Sequence, residues 1–253
     1  MQELAGKHAI VTGGGTGIGL AIAQALVARG AAVTITGRRS DVLEAAARET
    51  PGLNPQHMNV ASEASVVEGF AAARGLFGPI DICVANAGIA EGRKVTRTTL
   101  DFWRNMMAIN LDGAFLTIRE ALKDMEKSGW GRVIAVSSIA GLRGLRGGAA
   151  YSASKHGMIG LIRSLSEDYL GSALTFNALC PGYVDTPIVS RNIEIIREKT
   201  GMSAQAALKT MTDLNRHARL ITPEEVANAA LWLCLPGAES INGQTIEISG
   251  GQV

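Results

Sequence analysis

Tyr151 and Lys155 stand four residues apart in Tyr151-Ser152-Ala153-Ser154-Lys155, with Ser138 thirteen residues upstream. On a helix, residues i and i+4 share a face, so this spacing sets a phenol beside an ammonium that stabilises a phenolate. A free tyrosine has a pKa near ~10, and lowering it by one pH unit takes about 1.4 kcal/mol of favourable interaction with the phenolate. Using Tyr151 as a base near neutral pH therefore calls for two positive charges. Lys155 is one, and the chemistry is proton transfer at an oxygen.

The second charge is available if the chain binds an oxidised nicotinamide dinucleotide, and its N-terminal segment has a place for one. The apolar run His8-Ala9-Ile10-Val11 leads into Thr12-Gly13-Gly14-Gly15-Thr16-Gly17-Ile18-Gly19 and then into the helical Leu20-Ala21-Ile22-Ala23-Gln24-Ala25-Leu26. Glycines there permit a tight turn and bring backbone N–H groups at a helix N-terminus close to a pyrophosphate. The spacing is Gly13-x-x-x-Gly17-x-Gly19 and not the usual G-x-G-x-x-G.

With the later motifs Ala85-Asn86-Ala87-Gly88, Asn110, Ser138, Tyr151-x-x-x-Lys155 and Pro181-Gly182 in this order, the chain resembles the short-chain dehydrogenase/reductase family from about Lys7 to Gly251. The resemblance implies a doubly wound, Rossmann-like α/β fold and the interconversion of a carbonyl and a secondary alcohol. It implies that Tyr151 donates or takes the proton and Ser138 holds the substrate oxygen. Lys155 would lower the pKa of Tyr151 and bind the nicotinamide ribose, and Asn110 would hold a water linking Lys155 to solvent. Spacing to Tyr151 within the family selects Ser138 over Ser137, which is expected to point toward the sheet. No histidine forms a relay with Ser138, so it is not a nucleophile.

The cofactor-binding set implied by the same resemblance is Gly13, Gly15, Thr16, Gly17, Ile18 and Gly19 at the pyrophosphate, Asn59 and Val60 beside the adenine, and Asn86, Ala87 and Gly88 along the cofactor. Tyr151, Lys155, Pro181, Gly182, Val184 and Thr186 complete it around the nicotinamide. Asn86 carries an architectural role there. Thr36-Gly37-Arg38-Arg39 marks the adenine ribose. An acid there would bond the 2′-hydroxyl of NAD, whereas arginine pairs with a 2′-phosphate. Gly37 stands at the acid's position and Arg38 and Arg39 follow, which favours NADP(H) over NAD(H). Thr16 departs from the basic residue many NADP-dependent relatives carry in the glycine loop.

Composition narrows the alternatives. A chain of 253 residues with 47% hydrophobic content suits one undivided domain, 1–253. The net charge of +1 makes no case for nucleic acid or a membrane surface. No apolar run approaches a bilayer span, and Met1-Gln2-Glu3-Leu4 lacks the layout of a secretion signal, so a cytoplasmic protein is expected. Cys83, Cys180 and Cys234 are scattered in apolar stretches and read as reduced core fillers. The 4 histidines show no ligand spacing, so no metal is expected.

Alternating apolar runs and helical patterns predict a parallel sheet of about seven strands with helices on both faces. Strands are expected near 7–12, 32–37, 55–60, 80–85, 131–137, 174–180 and 244–249, and helices near 18–29, 40–49, 63–77, 99–127, 151–170 and 223–235. The polar, mildly amphipathic stretch 187–219 interrupts the alternation and reads as a substrate lid with one or two short helices. Family resemblance implies a homotetramer built through the two long helices and the last strand.

Arg93, Lys94 and Arg97 follow the fourth strand, and Arg143 and Arg146 lie between Ser138 and Tyr151. Five cations at the mouth would attract an anionic substrate or carrier. The resulting expectation is a 3-oxoacyl thioester reductase, linked to coenzyme A or an acyl-carrier protein. The alternatives are a secondary-alcohol dehydrogenase on neutral ketones, with Ile188, Ile193, Ile195 and Ile196 forming its pocket, and a non-catalytic dinucleotide binder.

Overall fold

A computed structural model describes residues 2–213 and 215–252. Its strands are β1 His8–Thr12, β2 Ala32–Gly37, β3 Leu53–His57, β4 Ile82–Ala85, β5 Trp130–Val136, β6 Ala173–Pro181 and β7 Thr245–Ile248. They form one sheet in the order β3-β2-β1-β4-β5-β6-β7, and each neighbouring pair is parallel. The order reverses between β1 and β4. In open α/β sheets ligands bind at the carboxyl ends of the strands flanking such a reversal.

Both faces are covered, which is why the strands read as continuous apolar runs. Along β1, Ala9 and Val11 pack on one side and Ile10 on the other. Helices α1 Gly17–Ala28, α2 Ser40–Glu49 and α9 Pro223–Cys234 cover the first face through residues such as Ile22, Leu43 and Val226. Helices α3 Glu63–Phe77, α5 Gly113–Ser128 and α6 Ala149–Asp168 cover the other through Phe70, Ile118 and Ile162. The helix starts follow their capping residues. Ser62 caps α3, Thr99 caps α4 Leu100–Met107, and Thr222 forms a full capping box with Glu225 at α9.

Two elements depart from the expected boundaries. Strand β3 begins at Leu53 and ends at His57, so Asn59 and Val60 lie beyond it. Pro55 is accommodated inside this strand because β3 is an edge of the sheet. The strand gives way to a turn in which the Ala61 N–H donates to Asn59 Oδ1 and the Ser62 N–H to the Asn59 carbonyl. The expected helix 99–127 is broken by a π-helical turn at Ala108–Asp112, between α4 and α5. Asn110, fully buried at the centre of that turn, spends its amide on neighbouring elements.

The expected lid contains α7 Pro187–Thr200 and α8 Ala204–Thr212. No helix among the described residues is long and apolar enough to cross a membrane.

Candidate active site

The glycine loop is stitched to β4 from behind. Thr12 Oγ1 accepts from the N–H groups of Asn86 and Ala87, both at 3.0 Å, and Asn86 Nδ2 donates to the Thr12 carbonyl at 2.9 Å. A Cβ on Gly19 would fall 2.4 Å from the Gly13 carbonyl oxygen and 2.5 Å from Asn86 Nδ2, so only glycine fits. Asn86 thus holds the loop's shape, as expected of an architectural residue. At the loop's exit Gly17 has φ of 55°, and a Cβ there would lie 3.0 Å from the Thr186 methyl.

These residues fit a dinucleotide. Thr16 makes no side-chain cap to α1, and the first turn of that helix has no acidic residue, which leaves its leading N–H groups for an anion. Arg38 and Arg39, both exposed, form no ion pair among the described residues and border the same end of the sheet. Ile18, Asn86, Gly88, Pro181, Gly182, Val184 and Thr186 line a cavity of about 700 Å³ that runs from the loop toward Tyr151. Asn59 and Val60 lie off this cavity. The Asn59 side chain accepts from Ala61, and Val60 is buried against Gly113.

Ser138, Tyr151 and Lys155 line that same cavity. Ser138 follows β5, where its hydroxyl oxygen accepts from the Ala140 N–H at 3.1 Å and hydrogen-bonds the Tyr151 hydroxyl. Ser137 donates to the Lys155 carbonyl at 3.2 Å, so it turns toward α6 and not toward the sheet as expected. Lys155, 4% exposed, donates from Nζ to the Val136 carbonyl at 2.8 Å, and its Nζ lies 5.9 Å from the centre of the Tyr151 ring.

The electrostatics of the protein groups alone run the other way. Burial pushes the Tyr151 phenol up, against a smaller downward pull from the Ser138 hydrogen bond, and Lys155 is not among the groups that lower it. The i, i+4 spacing points to a stabilised phenolate; desolvation outweighs that. Burial also brings the Lys155 ammonium down to about 8. A protonated phenol beside a serine hydroxyl is a proton donor aimed at an oxygen.

Asn110 reaches the site indirectly. Its Oδ1 accepts from the Ile89 N–H at 2.9 Å, and its Nδ2 donates to the Ile89 carbonyl at 3.0 Å and to Ser154 Oγ at 3.1 Å. It ties the loop after β4 to α6. A Cβ on Gly88 would meet Asn110 Oδ1 at 3.2 Å and Lys155 Nζ at 3.7 Å, so Gly88, Asn110 and Lys155 converge.

Above the site, Ile188, Val189, Asn192, Ile195 and Ile196 of α7 and Met211 of α8 wall the cavity. Ile193, expected among them, does not. Of the five cations expected at the mouth, Arg143 and Arg146 line the cavity. Arg93 is engaged elsewhere, 2.9 Å from Glu91 and stacked 4.1 Å from the Phe102 ring. Lys94 borders a neighbouring groove and Arg97 is exposed. Tyr183 also lines the cavity, which no sequence motif singles out; its place directly after Pro181-Gly182 is the available signal.

The family model described as short chain dehydrogenase matches residues 7–195. The chain belongs to the short-chain dehydrogenases. It is 35% identical to the 3-oxoacyl-[acyl-carrier-protein] reductase FabG of Aquifex aeolicus, over 98% of each chain. It is also 35% identical to the D-beta-hydroxybutyrate dehydrogenase of Rhizobium meliloti, over 97% of this chain and 98% of that one. A variant of actinorhodin polyketide ketoreductase, solved with NADPH, superposes with a TM-score of 0.94 at 30% identity, covering 100% of this chain and 98% of that one. As a short-chain dehydrogenase the protein is an NAD(P)-dependent oxidoreductase that interconverts a carbonyl and an alcohol. Among the described residues no cluster of histidine, cysteine or carboxylate suits a metal ion.

Proposed function

We propose that this enzyme reduces a 3-oxoacyl thioester, carried by coenzyme A or an acyl-carrier protein, with NADPH. The observation that carries this is one cavity holding Ser138, Tyr151 and Lys155 together with the cations Arg143 and Arg146. The reductase from Aquifex aeolicus, named for such a substrate, supports the reading.

Ser138 hydrogen-bonds the substrate carbonyl oxygen, and Tyr151 gives it a proton as the alkoxide develops. Lys155 binds the nicotinamide ribose hydroxyls and adds positive charge beside the phenol, and a water held at Asn110 returns protons from solvent. The bound nicotinamide supplies the hydride for the carbonyl carbon. Gly13, Gly15, Thr16, Gly17, Ile18 and Gly19 hold the pyrophosphate, Asn59 and Val60 flank the adenine, and Ala87, Val184 and Thr186 border the nicotinamide end. Comparing kcat/KM for an acetoacetyl thioester and a size-matched neutral ketone tests the substrate, and equal efficiency at low and high salt would replace the thioester with a neutral ketone. The apolar wall of Ile188, Ile195 and Ile196 is what favours that second reading.

The choice of NADP(H) rests on Arg38 and Arg39, exposed and without a carboxylate partner among the described residues, and on Gly37 in place of an acid. A bidentate arginine–phosphate contact is worth roughly 1.5–3 kcal/mol. Wild type should prefer NADPH over NADH by about tenfold or more in kcat/KM, and Arg38→Asp should reverse the preference. A clear preference of the wild type for NADH overturns the assignment.

Three free, buried cysteines suit the reducing cytoplasm. The assembly is a homotetramer, supported by half-exposed Trp103 on α4 and Phe115 on α5, and by Gly160 on α6, where a side chain would meet open space. Light scattering at micromolar concentration should report four times the chain mass; the mass of one chain refutes it.

A further inference from the structure

Arg143 is a cation of the cavity with no carboxylate partner among the described residues. It lies five residues after Ser138, on the loop that leads into α6, and lines the cavity with Ser138, Tyr151 and Tyr183. Its Nε is buried without a hydrogen-bond partner, and among the described residues no carboxylate pairs with its guanidinium. Glu91, the acidic group of the cavity wall, is taken by Arg93. Arg146, by contrast, is exposed and solvated.

A guanidinium is always charged, and a buried donor left unsatisfied is costly, so such a group is retained where something else accepts from it. Tyr183 stands next to it: the guanidinium is near enough to pull the Tyr183 phenol down against the upward effect of burial. Tyr183 in turn acts on Tyr151. The wall also carries the apolar Ile139, Leu145, Ile188 and Ile196. An unpaired guanidinium N–H with a phenol hydroxyl beside it, next to the groups proposed to hold the reacting oxygen, is placed to read a second oxygen on the same substrate.

We propose that Arg143, assisted by Tyr183, is the specificity-determining group that grips the oxygen on the carbon two positions from the reacting carbonyl, making 3-oxo acyl compounds the preferred substrates. The proposal deepens the thioester reading, on which the choice of acyl carrier rests. The gripped oxygen is the carbonyl of a thioester or one oxygen of a free carboxylate; the chemistry is shared, and an arginine serves either.

The test uses the full chain with NADPH and three substrates: the uncharged acetoacetyl N-acetylcysteamine thioester, acetoacetate, and 2-pentanone, which lacks the second oxygen. Each is measured with wild type, Arg143→Met and Arg143→Lys. A charge-assisted hydrogen bond is worth roughly 10- to 100-fold in kcat/KM. Arg143→Met should lose that factor on whichever 3-oxo compound wild type prefers and stay within about twofold on 2-pentanone, which also shows that the variant folds. Arg143→Lys should recover part of the loss. A preference for acetoacetate that vanishes in Arg143→Met sinks the thioester reading and keeps the role of Arg143. An equal fall on all three substrates, or no fall on the 3-oxo compounds, overturns the proposal.

Discussion

Replacing Tyr151 with Phe lowers kcat for carbonyl reduction by between about 10² and 10⁴-fold, the range a positioned general acid contributes. The ring keeps its place in the cavity wall; the hydroxyl that hydrogen-bonds Ser138 is lost. Cofactor affinity, measured by fluorescence titration with NADPH, should stay within about twofold. Burial pushes the Tyr151 phenol up, so it is protonated through neutral pH, the form a proton donor needs. Turnover of Tyr151→Phe within a few fold of wild type sinks the assigned acid.

Lys155→Met is the second large effect, and it acts on activity and stability in opposite senses. Turnover should fall by at least about 10²-fold, and NADPH affinity should fall with it, because in the role proposed for it the ammonium both charges the site and binds the ribose. Burial has brought Lys155 from 10.5 to about 8. Between those pH values the unfolded chain holds a proton that the folded chain has released, so native stability rises with pH across that window. Below pH 8 both states are charged, and the fold carries the full penalty of burying the ammonium, on the order of 3 kcal/mol. Losing the bond to the Val136 carbonyl returns roughly 1 kcal/mol of that. Lys155→Met should therefore melt roughly 3 °C or more above wild type at pH 7, with the gap closing as pH rises from 8 to 10.5. A variant that melts below wild type at pH 7 contradicts this account.

Much of the architecture was legible because a parallel sheet buried on both faces leaves an unmistakable alternation of apolar runs and amphipathic stretches. The errors have local causes. The third strand was expected near 55–60, yet it begins at Leu53 and carries Pro55 in its interior, which an edge strand tolerates. The π-helical turn at Ala108–Asp112 does not show in the helical pattern, which its apolar residues continue; only the family resemblance pointed to a local disruption at Asn110, and the bonds from Asn110 to Ile89 and Ser154 that accompany it lie far along the chain. The candidate cluster was readable from the family resemblance together with the Tyr151–Lys155 spacing, and β5, its following turn and α6 bring Ser138, Tyr151 and Lys155 to one wall. The balance of charge at that wall was not. Spacing puts an ammonium beside a phenol, but desolvation depends on what packs above them. Likewise Arg93 and Arg143 look alike in sequence, and only the fold pairs the first with Glu91 and leaves the second unmatched.

The wide turn between α4 and α5 also governs how this chain can change length. An α-helix advances about 100° per residue, so a turn holding one surplus residue rotates α4 relative to α5 by about that angle. Met106 before the turn and Ala114 after it are both buried in that phase. Removing one residue between 107 and 113 would restore an unbroken helix, and it would swing either Met106 out of the core or Asn110 away from Ile89. Side chains along this helix can be exchanged one at a time, but its residue count is locked to the position of the active-site loop.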